Sequence, residues 1–152
     1  MPPGEIPGSK NGSKELGYEV VASLFANSKQ EERYKVTKDI LSAHPDVAAI
    51  FCGNDPMAVG AAQAVADSGK SGVKDIYIVG FNEDEITLQA IKAEQLGATI
   101  QRVPAEMGKM TVDIASKLLK GEEIEYNNST NREIYAPVKL TTASEVDALL
   151  NK

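Results

Sequence analysis

Five polar residues stand where apolar runs of the sequence end: Asn54 and Asp55 after "VAAIFCG", Asn82 after "DIYIVGF", and Gln101 with Arg102 after "GATI". Asn and Gln each offer donors and an acceptor, and Arg offers a planar donor fork. That set suits vicinal hydroxyls better than phosphate or metal. Nothing in the chain adds a reaction to it. There is no Gly-rich phosphate loop, no Ser-His-Asp set and no metal-ligand spacing. His44, the one histidine, sits at a helix end, where capping or plain exposure accounts for it. Cys52, the one cysteine, falls inside an apolar run and reads as an inert buried thiol, with no disulfide or metal pairing open to it. The acidic run "NEDE" (82–85) lies at a helix start, where it favours the helix dipole rather than a cation. The chemistry expected is therefore non-covalent binding, with no enzyme activity, no cofactor and no metal.

The elements that must position these residues alternate at short intervals. "YEVVAS" (Tyr18 to Ser23) reads as a strand, and Glu31 to Ala43 as a helix with Val36, Thr37, Ile40 and Leu41 at helical spacing, stopped by His44-Pro45. Val47 to Cys52 reads as a strand buried on both faces. A helix follows with Met57, Ala58, Ala61, Ala62 and Val65 on one stripe, Asp55 as its N-cap and Pro56 at its first position. Asp75 to Gly80 is a third strand, Glu83 to Lys92 a helix with Ile86, Ala90 and Ile91 on one side, and Gly97 to Gln101 a short fourth strand. Pro104 opens a helix over Ala105 to Lys120 that Gly121 closes, and "EIYAPVKL" is a last strand, placed at an edge because Pro137 cannot donate to a ladder. Such alternation implies an α/β fold of three layers, α/β/α, with a mostly parallel sheet. Ligands of such sheets lie beyond the carboxyl ends of the strands, so Asn54, Asn82, Gln101 and Arg102 are expected to converge on one rim. Each alone is better explained as a turn or cap residue; the convergence is what raises the binding reading.

Composition narrows the classes. A chain of 152 residues with 42% apolar and 25% charged residues is an ordinary soluble globular balance and about one domain. A net charge of −6 with scattered Lys and Arg excludes a phosphate-tracking surface, so no nucleic acid is expected as partner. No apolar run approaches the length that spans a bilayer, and "MPPGEIPG" does not read as a signal peptide.

"HPDVAAIFCGNDPMAVGAAQAV", "IYIVGFNE" and "LGATIQRVPAEMG", in that order, resemble the C-terminal lobe of the type I periplasmic sugar-binding proteins of ABC transporters, the ribose-binding group. The resemblance runs from about Ile6 to Leu140. It implies two α/β lobes that close over a monosaccharide, and an ABC transporter permease as partner of the full-length protein. From this lobe it implies hydrogen bonds from Asn54, from the residue after "GF", and from the end of the "ATI" strand. It places the protein in the periplasm or cell envelope, whereas this chain as written, without a signal peptide, would stay cytoplasmic. The effector-binding core of lactose-repressor-type regulators shares the fold and the "ND" and "GF" motifs and is the competing reading. It would carry a helix-turn-helix upstream, and none is present.

The departures set further expectations. The family's Asp after "GF" is Asn82 here, which removes a charge-assisted acceptor and lowers the expected affinity. At the end of strand four either Gln101 or Arg102 faces the crevice, according to pleat register, with Arg102 favoured. The family's stacking aromatic is matched by Ser28, with Phe25 falling early. Between "IPG" and "EVVAS" only about ten residues remain for a helix that carries a sugar-binding Arg in the family, with Lys10 or Lys14 nearest its place. The chain is expected to be a single truncated lobe over 1–152. In the family its 105–120 helix packs on the missing N-terminal lobe. Met107, Thr111, Ile114, Ala115 and Leu118 then form an uncovered stripe, for which self-association is expected.

Overall fold

A computed structural model describes residues 12–151 of the chain. The elements run α1 (Gln30–Ala43), β1 (Ala49–Phe51), α2 (Asp55–Asp67), β2 (Tyr77–Asn82), α3 (Glu85–Lys92), β3 (Ala98–Arg102), α4 (Pro104–Lys120), β4 (Val138–Thr142) and α5 (Ala143–Leu150). The strands form one sheet in the order β1-β2-β3-β4. β1 and β2 are parallel, with Ala49 opposite Tyr77, Ile50 opposite Ile78 and Phe51 opposite Val79. The α/β class with a mostly parallel sheet is as the alternation of the sequence requires; the last strand is at an edge, but it runs Val138–Thr142 and begins only after Pro137, not over the whole of "EIYAPVKL".

Two compact units divide the described chain: 12–100 with 140–151, and 101–139. In the first, Ile50, Val65, Ile78, Ile91, Leu96 and Val146 belong to one buried core. The helices around it pack as pairs, α1 on α2 and α3 on α5. α2 can approach α1 closely because Gly60 has no side chain; a Cβ there would run into the carbonyl oxygen of Gln30. The Tyr34 hydroxyl donates to the Asp67 carboxylate at 2.7 Å, a second tie between the two helices. The last turn of α1 ends as expected at His44, whose backbone N–H still bonds Ile40.

In the second unit α4 begins at Pro104 and stops at Gly121, which takes the left-handed conformation (φ 71°) that terminates helices. None of its residues is buried. Met110 and Ile114 line a groove with Ile124 and Ile134, so the returning chain shelters one face, while Val112, Leu118 and Leu119 are exposed. A unit of about forty residues cannot bury a four-turn helix on all sides.

Several sequence expectations are corrected. The strand expected over Val47–Cys52 with both faces buried is Ala49–Phe51, and Ala49 is exposed. Tyr18–Ser23 is not a strand: the chain there has no regular structure, and Tyr18, Val20 and Val21 are exposed. A run with high β-propensity becomes a strand only when it finds a ladder and a face to bury, and among the described residues it has neither. The cap of α2 is Asn54, not Asp55, and Pro56 is the second helical residue rather than the first. Ile86 is exposed, and the buried side of α3 is made by Thr87, Leu88, Ala90 and Ile91. Helix α5 was not anticipated, although Thr142 and Glu145 form a reciprocal capping box, a signature spaced S/T-x-x-E. Lys10 and the "IPG" motif lie outside the described residues; Lys14 lies in a helical turn over 12–15 and is exposed.

Candidate functional site

At the end of β1 the backbone passes through Gly53 to Asn54, which is extended (φ −156°, ψ 165°). Its Oδ1 accepts the N–H of Met57 at 2.9 Å, one of the orphan donors at the start of α2. Its Nδ2 donates to the carbonyl oxygen of Ser28 at 3.3 Å. Ser28 belongs to a tight turn in which Asn27 (φ 47°) and Ser28 (φ 59°) are both left-handed and the Lys29 N–H closes on Ala26 at 2.9 Å. Ser28 thus presents a backbone carbonyl that orients Asn54. Beyond these two bonds an amide still has, by valence, one N–H and one lone pair for a ligand.

Asp55 goes inward. It is fully buried, its Oδ1 accepting the Thr99 hydroxyl at 2.7 Å and its Oδ2 the Asp84 backbone N–H at 2.6 Å. Both are short, charge-assisted bonds, and they join the start of α2 to β3 and to the loop after β2. The space exists because residue 80 is glycine. A Cβ at Gly80 would meet Asp55 Oδ1 well inside contact distance, with Ala58 Cβ at 3.2 Å and Thr99 Oγ1 at 3.3 Å.

Asn82 is the last residue of β2 and half-buried, so β2 runs two residues further than its apolar pattern suggests. Asn82 (φ 136°) and Glu83 (φ 68°) both have positive φ. Conformations of this kind cost about 1–3 kcal/mol each and persist where surrounding contacts over-determine them. Those contacts are at hand: the Glu83 N–H donates to Thr99 Oγ1 at 3.4 Å, and the Glu83 carboxylate accepts the hydroxyl of buried Thr141 at the end of β4. Asp55, which follows Asn54 in the chain, bonds the loop two residues beyond Asn82 and so ties the two strand ends together. Gln101, half-buried, and Arg102, exposed, close β3 and belong to the second unit.

Beneath the site, Cys52 is buried and its N–H bonds the Val79 carbonyl at 2.9 Å. Burial pushes its thiol up to about 11, against the opposing pull of Arg33. Arg33, itself buried on α1, donates to the Phe51 carbonyl at 3.3 Å and steadies the last residue of β1. The inert thiol expected from sequence is what the burial produces. Asp55, Thr99, Gly80, Thr141 and Arg33 carry the geometry of the site and were not anticipated in that role. The partners of Asp55 and of Thr141 lie 29 to 58 residues away along the chain, so no local pattern announces them.

The sequence profile of the periplasmic binding protein domain family matches residues 8–123. The ribose import binding protein of Salmonella typhimurium is 38% identical over 108 residues, covering 71% of this chain and 36% of that protein. Its counterpart in Bacillus subtilis is 34% identical over 124 residues, covering 82% of this chain and 37% of that protein. The chain thus spans little more than a third of the length of these relatives. Among solved structures, the periplasmic ribose ABC transporter protein from Conexibacter woesei superposes with a TM-score of 0.74 at 25% identity, over 95% of this chain and 47% of that one. With the alternating fold, the strand-end polar residues and these matches together, the chain belongs to the periplasmic binding protein family.

Proposed function

We propose that this chain is the carbohydrate-binding lobe of a solute-binding protein that delivers a monosaccharide to an ABC transporter permease, and that it is incomplete by itself. The observation that carries the reading is the rigid rim at the strand ends, where Asn54 is fixed at both ends of its amide and Asn82 is held in a positive-φ conformation. Fixed neutral amides suit the ring hydroxyls of an uncharged sugar. The relatives named for ribose import, and one named for D-ribose and D-allose, make those sugars the first to test. Gln101 and Arg102 are assigned to the same crevice in the full-length protein, which would act in the periplasm or cell envelope. There α4 packs on the other lobe.

Half a crevice leaves half of the sugar in water, so the chain alone is expected to bind at about 1 mM or more weakly. Amide resonances measured while D-ribose or D-allose is titrated should shift at Asn54, Asn82 and their neighbours. Asn54→Asp, which keeps the cap oxygen but removes the N–H, should weaken the response severalfold without loss of fold. Shifts absent from the rim at saturating sugar would refute the reading.

In the isolated chain the exposed face of α4 is given to a second copy. Of the expected stripe Met107, Thr111, Ile114, Ala115 and Leu118, Ile114 lines the groove under the returning chain, so the seam falls instead on Ala105, Gly108, Val112, Ala115 and Leu119, all exposed and on a 3-4-3-4 spacing. In an antiparallel pair across a two-fold axis Leu119 meets Ala105, Ala115 meets Gly108, and Val112 meets its own copy, so large faces small along the seam. Light scattering over a dilution series should reveal dimers that Leu119→Glu abolishes; a monomer at high concentration would overturn the pairing.

A further inference from the structure

We infer that Asp55 is a positioning residue for the rim: it touches no ligand, and it fixes where Asn54 and Asn82 present theirs. The inference deepens the sugar-binding reading and rests on it for the ligand, though its geometry stands by itself. Asp55 is wholly removed from solvent, so it is unavailable to a sugar. Its two oxygens are taken by donors from two different parts of the chain, the Thr99 hydroxyl on β3 and the Asp84 N–H after β2. The chain leaves no room for anything but a hydrogen at residue 80, directly against Asp55 Oδ1. The same Thr99 oxygen accepts from the N–H of Glu83, so the positive-φ pair Asn82–Glu83 is gripped on its C-terminal side by the Asp55–Thr99 couple. On its other side Asp55 follows Asn54 directly, at the first turn of α2. A conservative apolar residue would fill the volume but satisfy neither donor, and a carboxylate satisfies both at once. One buried group thus sets the distance between the two amides.

Asp55→Asn is the test, because it keeps the shape and one acceptor oxygen but turns an NH2 group toward the second donor. Exchange of the Asp84 amide with solvent should become about tenfold faster or more. The Asn54 and Asn82 side-chain amide resonances should move, and the D-ribose response of the rim should be lost at sugar concentrations that shift the unmodified chain. Thr99→Ser, which retains the hydroxyl, should keep Asp84 exchange much closer to that of the unmodified chain than Asp55→Asn does. A lowered melting temperature with unaltered Asp84 exchange and unaltered Asn82 resonances would make Asp55 a core residue only and overturn the inference. Should Asp55→Asn fail to fold, Thr99→Val decides instead: faster Glu83 exchange and displaced Asn82 resonances support the inference, and their absence refutes it. If the unmodified chain shows no sugar response, the binding reading fails while the exchange data still judge Asp55.

Discussion

Helices α2 and α4 carry much the same written signals: a proline in the first turn, a run of small and apolar residues, and a polar or glycine stop. Their fates differ. α2 buries seven of its thirteen residues, including a carboxylate and a glycine, while α4 buries none of its seventeen. An apolar stripe states which face of a helix seeks cover; it does not state what covers it. In the first unit the cover comes from β2 and from α1, and close approach is licensed by glycine at 60 and 80. In the second the returning 124–134 segment shelters one side of the helix.

Glycine substitutions set the two regions against each other most sharply. Gly80→Ala should be strongly damaging, because the new Cβ collides with a buried carboxylate that cannot move without releasing Thr99 and Asp84. Overpacking of this kind, added to two broken charge-assisted bonds, costs about 3–5 kcal/mol. Urea denaturation checks it. A loss below 1 kcal/mol would mean that the Asp55 pocket is loose and that the contrast between the regions is smaller than the packing implies.

The next effect is read by pH. Cys52 is buried with its thiol raised to about 11, from an ordinary value of 9.0. The folded state therefore keeps a proton that the unfolded state releases, so stability is unaffected below about pH 9 and falls as pH rises through the 9–11 window. The full loss is on the order of 3 kcal/mol. Cys52→Ala should cost some packing at neutral pH but flatten this alkaline slope. Native Cys52 should also resist thiol reagents at pH 8, reacting only as fast as the chain opens. Rapid labelling of the folded chain would contradict the burial.

What the sequence revealed and what it hid follow from range. The αβ alternation, the core strands around Ile50 and Ile78 and both ends of α4 were legible because periodicity and terminal signals act within a few residues. "Asn-Asp-Pro" was not decidable locally: both Asn54 and Asp55 are good caps, and proline is accepted at either of the first two helical positions. The choice was made by Thr99 and Asp84, far along the chain, which draw Asp55 inward and leave Asn54 the cap. "YEVVAS" failed for a similar reason, since its pattern describes a strand without naming a partner. α5 was the one miss with a local signal, the Thr142–Glu145 capping box. Of the candidate site, the strand-end positions of Asn54 and Asn82 could be read; the residues that hold them in place could not.

The reassigned cap has its own consequence for stability. Asn54→Ala removes the acceptor for Met57 and the donor to Ser28, and should cost about 1 kcal/mol. Asn54→Asp should cost much less, because the acceptor is retained and a negative charge at the start of α2 is favourable. Equal losses in the two variants would move the stabilising contribution from the cap to the Ser28 contact.

The smallest effect belongs to α4 and has the opposite sign. Gly108 lies in an exposed helix interior with nothing within 4 Å of a Cβ placed there. Gly108→Ala should therefore stabilise the chain by about 0.5–1 kcal/mol, the backbone entropy that glycine loses on entering a helix. That gain is independent of concentration if the face stays in water. If two copies pair, Gly108 opposes Ala115 of the other copy at a close approach, and the added methyl must push the helices apart. The variant would then be more stable than the parent at high dilution, with the advantage shrinking or reversing as concentration rises and the dimer dissociation constant increasing. Thermal denaturation of both chains across the same dilution series reads the two behaviours apart: parallel curves leave α4 solvated, and crossing curves place a second copy on it.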